Sequence, residues 1–243
     1  MRDIKTFSVG AVLAGGFGTY FGHLARFIPL SLLAYSPVWI GLLIFGPQDP
    51  ENAFSGDGLG MIVLSTIATY WLQASLIYGT ISTLRGQHPG LSEMLSRSLQ
   101  ALLAVILVAI VLSIVMALGF VLLIIPGLIL MTMFWVAIPV AVVERNGVGA
   151  AFSRSRELTS GHRWSIFALF IVIVVIAVVV QIVIGLIFGF AGTQTISVLG
   201  TWITQLVSMV VAGVWACLVA VSYHDLRVVK EGVGTEQIAQ VFE

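Results

Sequence analysis

Two stretches of this chain, 98–143 and 164–224, run for 46 and 61 residues without a single Asp, Glu, Lys or Arg. Two shorter charge-free stretches, 27–48 and 58–84, cover 22 and 27 residues. A helix crosses a bilayer with about 20 apolar residues, at about 1.5 Å each over a hydrocarbon layer of about 30 Å. The shorter stretches therefore fit one crossing apiece. As one straight helix, 98–143 would extend about 69 Å, roughly twice the hydrocarbon thickness, so it must fold back. Gly119 and the pair Pro126-Gly127 mark the reversal, because proline suits a helix start and disrupts a helix interior. In 164–224 the polar, glycine-rich interruption is Gly189-Phe190-Ala191-Gly192-Thr193-Gln194-Thr195. The predicted spans are about 27–46, 59–83, 99–121, 127–143, 165–189 and 197–222, with 1–228 as one membrane domain and 229–243 as a tail.

Composition agrees with a lipid solvent. The chain is 59% hydrophobic and 9% charged, with a mean hydropathy of +1.09. A soluble domain carries about 25% charged residues. Backbone groups in lipid must be satisfied internally, which leaves helices or closed barrels. Continuous apolar runs without alternation exclude a barrel, so the expected class is all-α. The net charge of zero argues against a nucleic-acid partner, which needs a basic face. The one cysteine, Cys217, has no intrachain partner and no Cys or His neighbour at metal-ligand spacing. It reads as a small buried apolar residue. The opening Met1-Arg2-Asp3-Ile4-Lys5 precedes a glycine-rich stretch, so the first span is expected to act as an uncleaved insertion signal.

Six spans place both termini on one side. That side holds Arg2, Lys5, Arg26, Arg85, Arg97, Arg145, Arg154, Arg156, Arg163, Arg227 and Lys230, which are all eleven basic residues. The opposite loops hold only Asp49, Glu51 and Asp57. Basic short loops stay cytoplasmic. The expected location is a bacterial cytoplasmic (inner) membrane, with both termini inside.

The basic-side segments resemble one another. Val9-Gly10-Ala11 and Gly22-His23 match Val148-Gly149-Ala150 and Gly161-His162 at a common offset of 139. Gly90-Leu91 and Ser96-Arg97-Ser98 align with Gly147-Val148 and Ser153-Arg154-Ser155 at a common offset of 57. These offsets predict three units, each a short amphipathic surface helix followed by a transmembrane hairpin. The expected apolar stripes are Leu13, Phe17, Tyr20, Phe21 and Leu24 in the first unit, and Val148, Ala151, Phe152, Ser155 and Leu158 in the third. Such helices lie in the headgroups or cap the bundle.

The run Leu122-Leu123-Ile124-Ile125-Pro126-Gly127, then Pro139 to Glu144, then Ala151-Phe152-Ser153-Arg154-Ser155-Arg156-Glu157-Leu158 and Gly161-His162-Arg163-Trp164, resembles a bacterial membrane family. That family is named for the membrane region of some glycerophosphoryl diester phosphodiesterases. Phe7-Ser8-Val9-Gly10 and Tyr223-His224-Asp225-Leu226-Arg227 add to the likeness. The resemblance implies six membrane helices and no phosphodiesterase activity, because the family's chemistry resides in a separate soluble domain.

Chemistry within the membrane needs ionisable groups, which are costly there and usually functional. The predicted spans have none near their centres, and no G-x-S-x-G, H-E-x-x-H or Walker motif occurs. His23, His88, His162 and His224 lie on separate segments. No catalytic, cofactor or metal site is therefore expected. An enzyme working through Glu144, Glu157 or His162 is the least favoured alternative. Two groups of candidate contacts remain. Arg145, Arg154, Arg156 and Arg163 are suited to anionic headgroups or a partner, each basic residue contributing about 1 kcal/mol near an anionic surface. Ser65, Thr69 and Gln73, Gln181 with Gly185 and Gly189, and Thr201, Gln205 and Ser208 form polar faces on three spans. Such faces either glue helices together or line a polar pathway. The expected function is a non-enzymatic membrane protein, a lipid-interacting scaffold or complex subunit, with a small-molecule or lipid transporter as the alternative. Membrane lipids are the expected partners, and a protein partner or homo-oligomer stays open.

Overall fold

The computed structural model describes residues 7–45, 55–189 and 194–232. These form nine helices and no strand: α1 (Val9–Gly22), α2 (Leu24–Phe45), α3 (Gly56–Leu84), α4 (Leu91–Leu122), α5 (Ile124–Met133), α6 (Ala137–Val143), α7 (Val148–Thr159), α8 (Arg163–Gly189) and α9 (Gln194–Glu231). Six segments are long and apolar enough to cross a membrane: Leu24–Phe45, Gly56–Leu84, Leu91–Val121, Ile124–Val143, Arg163–Val180 and Gln205–Glu231. The architecture is that of a multi-pass membrane protein. The acidic loop with Asp49 and Glu51, the basic residues Arg2 and Lys5, the turn at 190–193 and the tail from 233 lie outside the described residues.

Starts and reversals follow from local chemistry. The Ser8 and Ser55 hydroxyls accept from the backbone N–H of Ala11 and Gly58, both at 3.2 Å, capping α1 and α3. Pro37 removes the donor that the Leu33 carbonyl would have used, and the Ser36 hydroxyl donates to that carbonyl at 2.8 Å. The reversal after α4 is tighter than its glycine and proline suggest. Leu123 alone, extended at φ −167° and ψ 147°, separates α4 from α5. Pro126 falls in the first turn of α5, where a missing N–H costs nothing. A Cβ on Gly119 would stand 3.1 Å from the Gly127 Cα, so the two backbones touch there.

The helices bury a common core. Tyr20, Phe27, Leu72, Leu76, Ile77, Leu158, Leu169, Leu218 and Tyr223 are all nearly inaccessible. The outside is apolar too: Leu43, Leu103, Val121 and Ile125 are each more than 70% exposed. Exposed apolar surface on this scale fits a lipid surround, not water.

The short helices differ from the expected surface stripes. α1 packs on α9 and buries Val12, Gly16, Thr19 and Tyr20, while Phe21 is 53% exposed. The second unit has no separate surface helix, since α4 is continuous from Leu91 to Leu122. α7 buries Ala151, Ser155, Leu158 and Thr159, with Val148 and Phe152 half-buried. The sequence offsets nonetheless recur in burial. Val12, Met94 and Ala151 occupy equivalent positions, as do Gly16, Ser98 and Ser155, and as do Thr19, Ala101 and Leu158; all nine are buried. Each segment meets a preceding or closing helix. Gly16 sits against Leu218 of α9, Ser98 bonds Ser75 of α3 at 2.6 Å, and Ser155 donates to Met133 of α5 at 3.0 Å.

The Gly16 position has no room for a side chain. A Cβ there would lie 2.4 Å from Leu218 Cδ2 and 3.0 Å from its Cα. Gly16→Ala should cost about 1–2 kcal/mol through overpacking, despite alanine's better helix propensity. Thermal unfolding in detergent checks this, with Gly18→Ala, which meets nothing within 4 Å, as the control.

Candidate functional site

The fourth span is jointed. α5 ends at Met133 and α6 begins at Ala137, with Phe134, Trp135 and Val136 between them. Pro139 explains the joint: its ring would clash with the Trp135 carbonyl one turn earlier, and it offers no N–H. In the joint, the Ala137 N–H turns to the Phe134 carbonyl at 3.1 Å, which deprives the Met133 carbonyl of its helical donor. Two hydroxyls of α7 replace it. Ser155 Oγ donates to Met133 O at 3.0 Å, and Thr159 Oγ1, 3.1 Å from the same oxygen, shares its one proton between it and the Ser155 carbonyl at 2.9 Å. α7 is thus tied to the joint as well as covering it.

Beside the joint is a crevice of about 480 Å³, lined by Thr69, Tyr70 and Gln73 of α3, Ile138 of α6, Ala177 of α8, and Val207, Ser208, Val211, Ala212 and Trp215 of α9. The lining side chains are half-buried except Val211, which is 38% exposed, so the crevice opens to the outside. Trp215 packs edge-on against Trp135 of the joint at 5.3 Å, and Trp135 also meets Phe170 of α8. The Trp135 indole N–H is buried without a hydrogen-bond partner among the described residues.

Two of the three predicted polar faces converge on this crevice, through Thr69 and Gln73 from α3 and Ser208 from α9. Their states differ. Thr69 donates to the Ser65 carbonyl at 2.7 Å and takes the Tyr35 hydroxyl proton at 2.8 Å, so its own proton is committed. Gln73, Tyr70 and Ser208 make no hydrogen bond among the described residues. Ser65 is turned back to the Ile62 carbonyl at 3.0 Å. Gln205 is half-buried one turn before Ser208. The side chains of Gln181 and Thr201, with Gly185 and Gly189, lie outside what the structure describes.

Two of the four predicted arginine contacts, Arg154 and Arg145, are occupied within the protein. Arg154 binds Glu144 at 3.3 Å, Glu157 at 3.0 Å and Glu231 of α9. Burial opposes its charge, but the bonds and charges of Glu157 and Glu144 outweigh this and hold its pKa above the ordinary guanidinium value. Tyr223 donates to Glu144 at 2.9 Å, and Arg227 binds Glu231 at 2.7 Å. This network joins the end of α6 to α7 and α9. Arg145, at φ 51°, reaches back to Gln100 Oε1 at 3.2 Å and the Arg97 carbonyl at 3.0 Å. Gly147 follows at φ 86° and ψ 169°, a conformation open only to glycine, and lets α7 turn back on the bundle. The Arg163 Nε is buried without a partner among the described residues, and Arg156 is exposed in the last turn of α7. Trp164, 84% exposed, stands beside Arg163.

The carboxylates weighed for chemistry, Glu144 and Glu157, are both engaged by Arg154. Among the described residues no three His, Cys, Asp or Glu side chains gather as metal ligands. His162 packs on Phe7 at 5.9 Å, and burial together with nearby Lys230 lowers its pKa below 6.5. Sequence reasoning missed Ile138, Ala177 and Trp215 as crevice walls, and missed the joint; Pro139 was its available signal.

Fold and site together define a multi-pass helical membrane protein with a jointed span beside an intramembrane crevice. The chain belongs to the family described as a domain of unknown function (DUF7847), whose match covers residues 56–226. Comparison with curated proteins and with solved structures finds no match.

Proposed function

We propose that this chain is a non-enzymatic integral membrane protein that holds lipid in the crevice between α3, α6, α8 and α9, acting as a lipid-interacting scaffold or complex subunit. The observation that carries this reading is the crevice itself. It combines an apolar wall with three neutral polar side chains that have no hydrogen-bond partner among the described residues. In hydrocarbon an unpaired amide costs several kcal/mol, so such a surface calls for an occupant. The volume falls in the ordinary range for small-molecule sites, about 300–1,000 Å³.

The reading places the chain in a bacterial cytoplasmic membrane with both termini inside. Its support is the placement of all eleven basic residues on one predicted side. It also takes the chain as three hairpin units closed into a ring, supported by the equivalent buried positions and by α1 packing on α9. The likeness of 122–167 to the membrane region of glycerophosphoryl diester phosphodiesterases suits a membrane role without the enzyme's chemistry. Transport of a small molecule or lipid is the second reading. The jointed span favours it, because discontinuous helices line many transporter sites.

Native mass spectrometry of protein released gently from its own membrane tests the proposal. A stoichiometric lipid that is lost in Gln73→Leu is the expected result. A bare chain, carrying only lipid that exchanges freely in both forms, would overturn it.

A further inference from the structure

The chemistry of the crevice also selects among lipids. We infer that it takes the uncharged hydrogen-bonding head of an amphipath, a hydroxyl or ester group of the diacylglycerol kind, in preference to a phosphate-bearing headgroup. The inference rests on the proposed lipid-binding reading and goes one step further.

Among the described residues no Lys, Arg, His, Asp or Glu lines the crevice. Its polar capacity consists of the Gln73 amide and the Tyr70 and Ser208 hydroxyls, after Thr69 is consumed by Tyr35 and Ser65. An amide donates and accepts at once, as do the two hydroxyls, so together they match a group that also does both. An anionic phosphate entering the same space would lose its hydration without meeting a cation, a cost far above that of a neutral group. None of Arg145, Arg154, Arg156 and Arg163 is among its lining residues, and Arg154 and Arg145 are committed to three carboxylates and to α4. Depth gives the same answer. Gln73 lies roughly 17 Å along α3 from its end at Leu84, near the middle of a hydrocarbon layer about 30 Å thick. A headgroup phosphate stays at the interface, whereas a neutral head can descend. The remaining walls, Ile138, Ala177, Val207, Val211, Ala212 and Trp215, suit an acyl chain.

The test uses full-length protein in phosphatidylcholine nanodiscs and two photoactivatable probes of equal chain length, one a diacylglycerol and one a phosphatidic acid. The diacylglycerol probe should label peptides containing 69–73 and 207–215 about tenfold more than the phosphatidic acid probe. Gln73→Leu should reduce that labelling about tenfold, the effect of one lost hydrogen bond at the upper end of its range. Its thermal unfolding reports whether the fold is kept, and Ser208→Ala supplies a second, smaller truncation. Equal crevice labelling by the two probes would overturn the selectivity while leaving lipid binding standing. Selective labelling that neither Gln73→Leu nor Ser208→Ala changes would overturn the role given to these polar groups. Crevice labelling by neither probe would remove the lipid-binding reading along with this one.

Discussion

Arg154→Ala should destabilise the protein by about 2–3 kcal/mol, read as thermal or denaturant unfolding in detergent. Removing one member of a buried ion network costs about 3–5 kcal/mol, because the abandoned partner stays charged and desolvated. Here the figure is discounted, since the Glu144 and Glu231 side chains retain 16% and 26% of their exposure. After the loss, Glu144 keeps only Tyr223 and Glu231 keeps only Arg227. Arg154→Lys should recover less than half, because a single ammonium cannot fork between three carboxylates. Arg156→Ala, at an exposed site, should change stability by no more than about 0.5 kcal/mol. The pH dependence has a definite sign. Arg154 is a base with a raised pKa, so its contribution is complete below the ordinary guanidinium range and lost only as pH rises beyond that range. The Arg154→Ala deficit should therefore stay level from pH 6 to 9, on the order of the same 2–3 kcal/mol. A deficit matching that of Arg156→Ala would show the network to be ornamental.

The joint offers the second large effect. In Ser155→Ala with Thr159→Val, the Met133 carbonyl loses both hydroxyl donors that replace its missing helical bond. An unsatisfied buried carbonyl costs about 1–3 kcal/mol, so the double variant should lose about 2 kcal/mol. Each single variant should lose less than half of that, because the remaining hydroxyl still serves the same oxygen. The pair should therefore be non-additive in a double-mutant cycle. Interhelical hydrogen bonds in membranes average only about 0.6 kcal/mol, because alternative partners are commonly found. A double-variant loss near that smaller value would mean that the joint relaxes and satisfies Met133 another way. The effect should also reach the crevice, since Ile138 lies in the first turn after the joint. A cysteine at position 138 should react faster with a thiol probe when α7 lacks its two hydroxyls.

His162 adds a weaker dependence in the opposite direction. Its lowered pKa means that the folded state resists protonation, so stability is complete above 6.5 and declines as pH falls through that value. Because the side chain is only half-buried, the trend should be shallow.

The two groups of candidate contacts fared differently, for reasons visible in particular residues. Thr69, Gln73 and Ser208 were marked by polarity at helical spacing inside apolar runs, and the structure brings them to one crevice. Their partners Ile138, Ala177 and Trp215 carry no such mark, because an apolar wall looks the same whether it faces lipid, a neighbour or a cavity. Arg154 and Arg145 stood out as basic residues near a membrane surface. Position along the chain could not show that Glu231, 77 residues later in the count, would close on Arg154.

The sequence by itself determined the solvent, the helical class and the number of crossings. Lipid excludes charge so strongly that charge-free lengths count the candidate spans, and six described helical segments are long and apolar enough to cross, with ends up to about nine residues from the expected bounds. It also carried the recurring small residues, since Gly16, Ser98 and Ser155 recur at two fixed offsets and all are buried. Only the tertiary structure decided which face of each helix meets protein. Lipid tails are as apolar as leucine, so the faces of a spanning helix differ little in hydrophobicity. The joint at Phe134–Val136, the capping of Met133 by α7 and the crevice beside them arise where separate helices meet. Those meetings depend on close packing and on the satisfaction of single polar atoms, which no local pattern in the chain encodes.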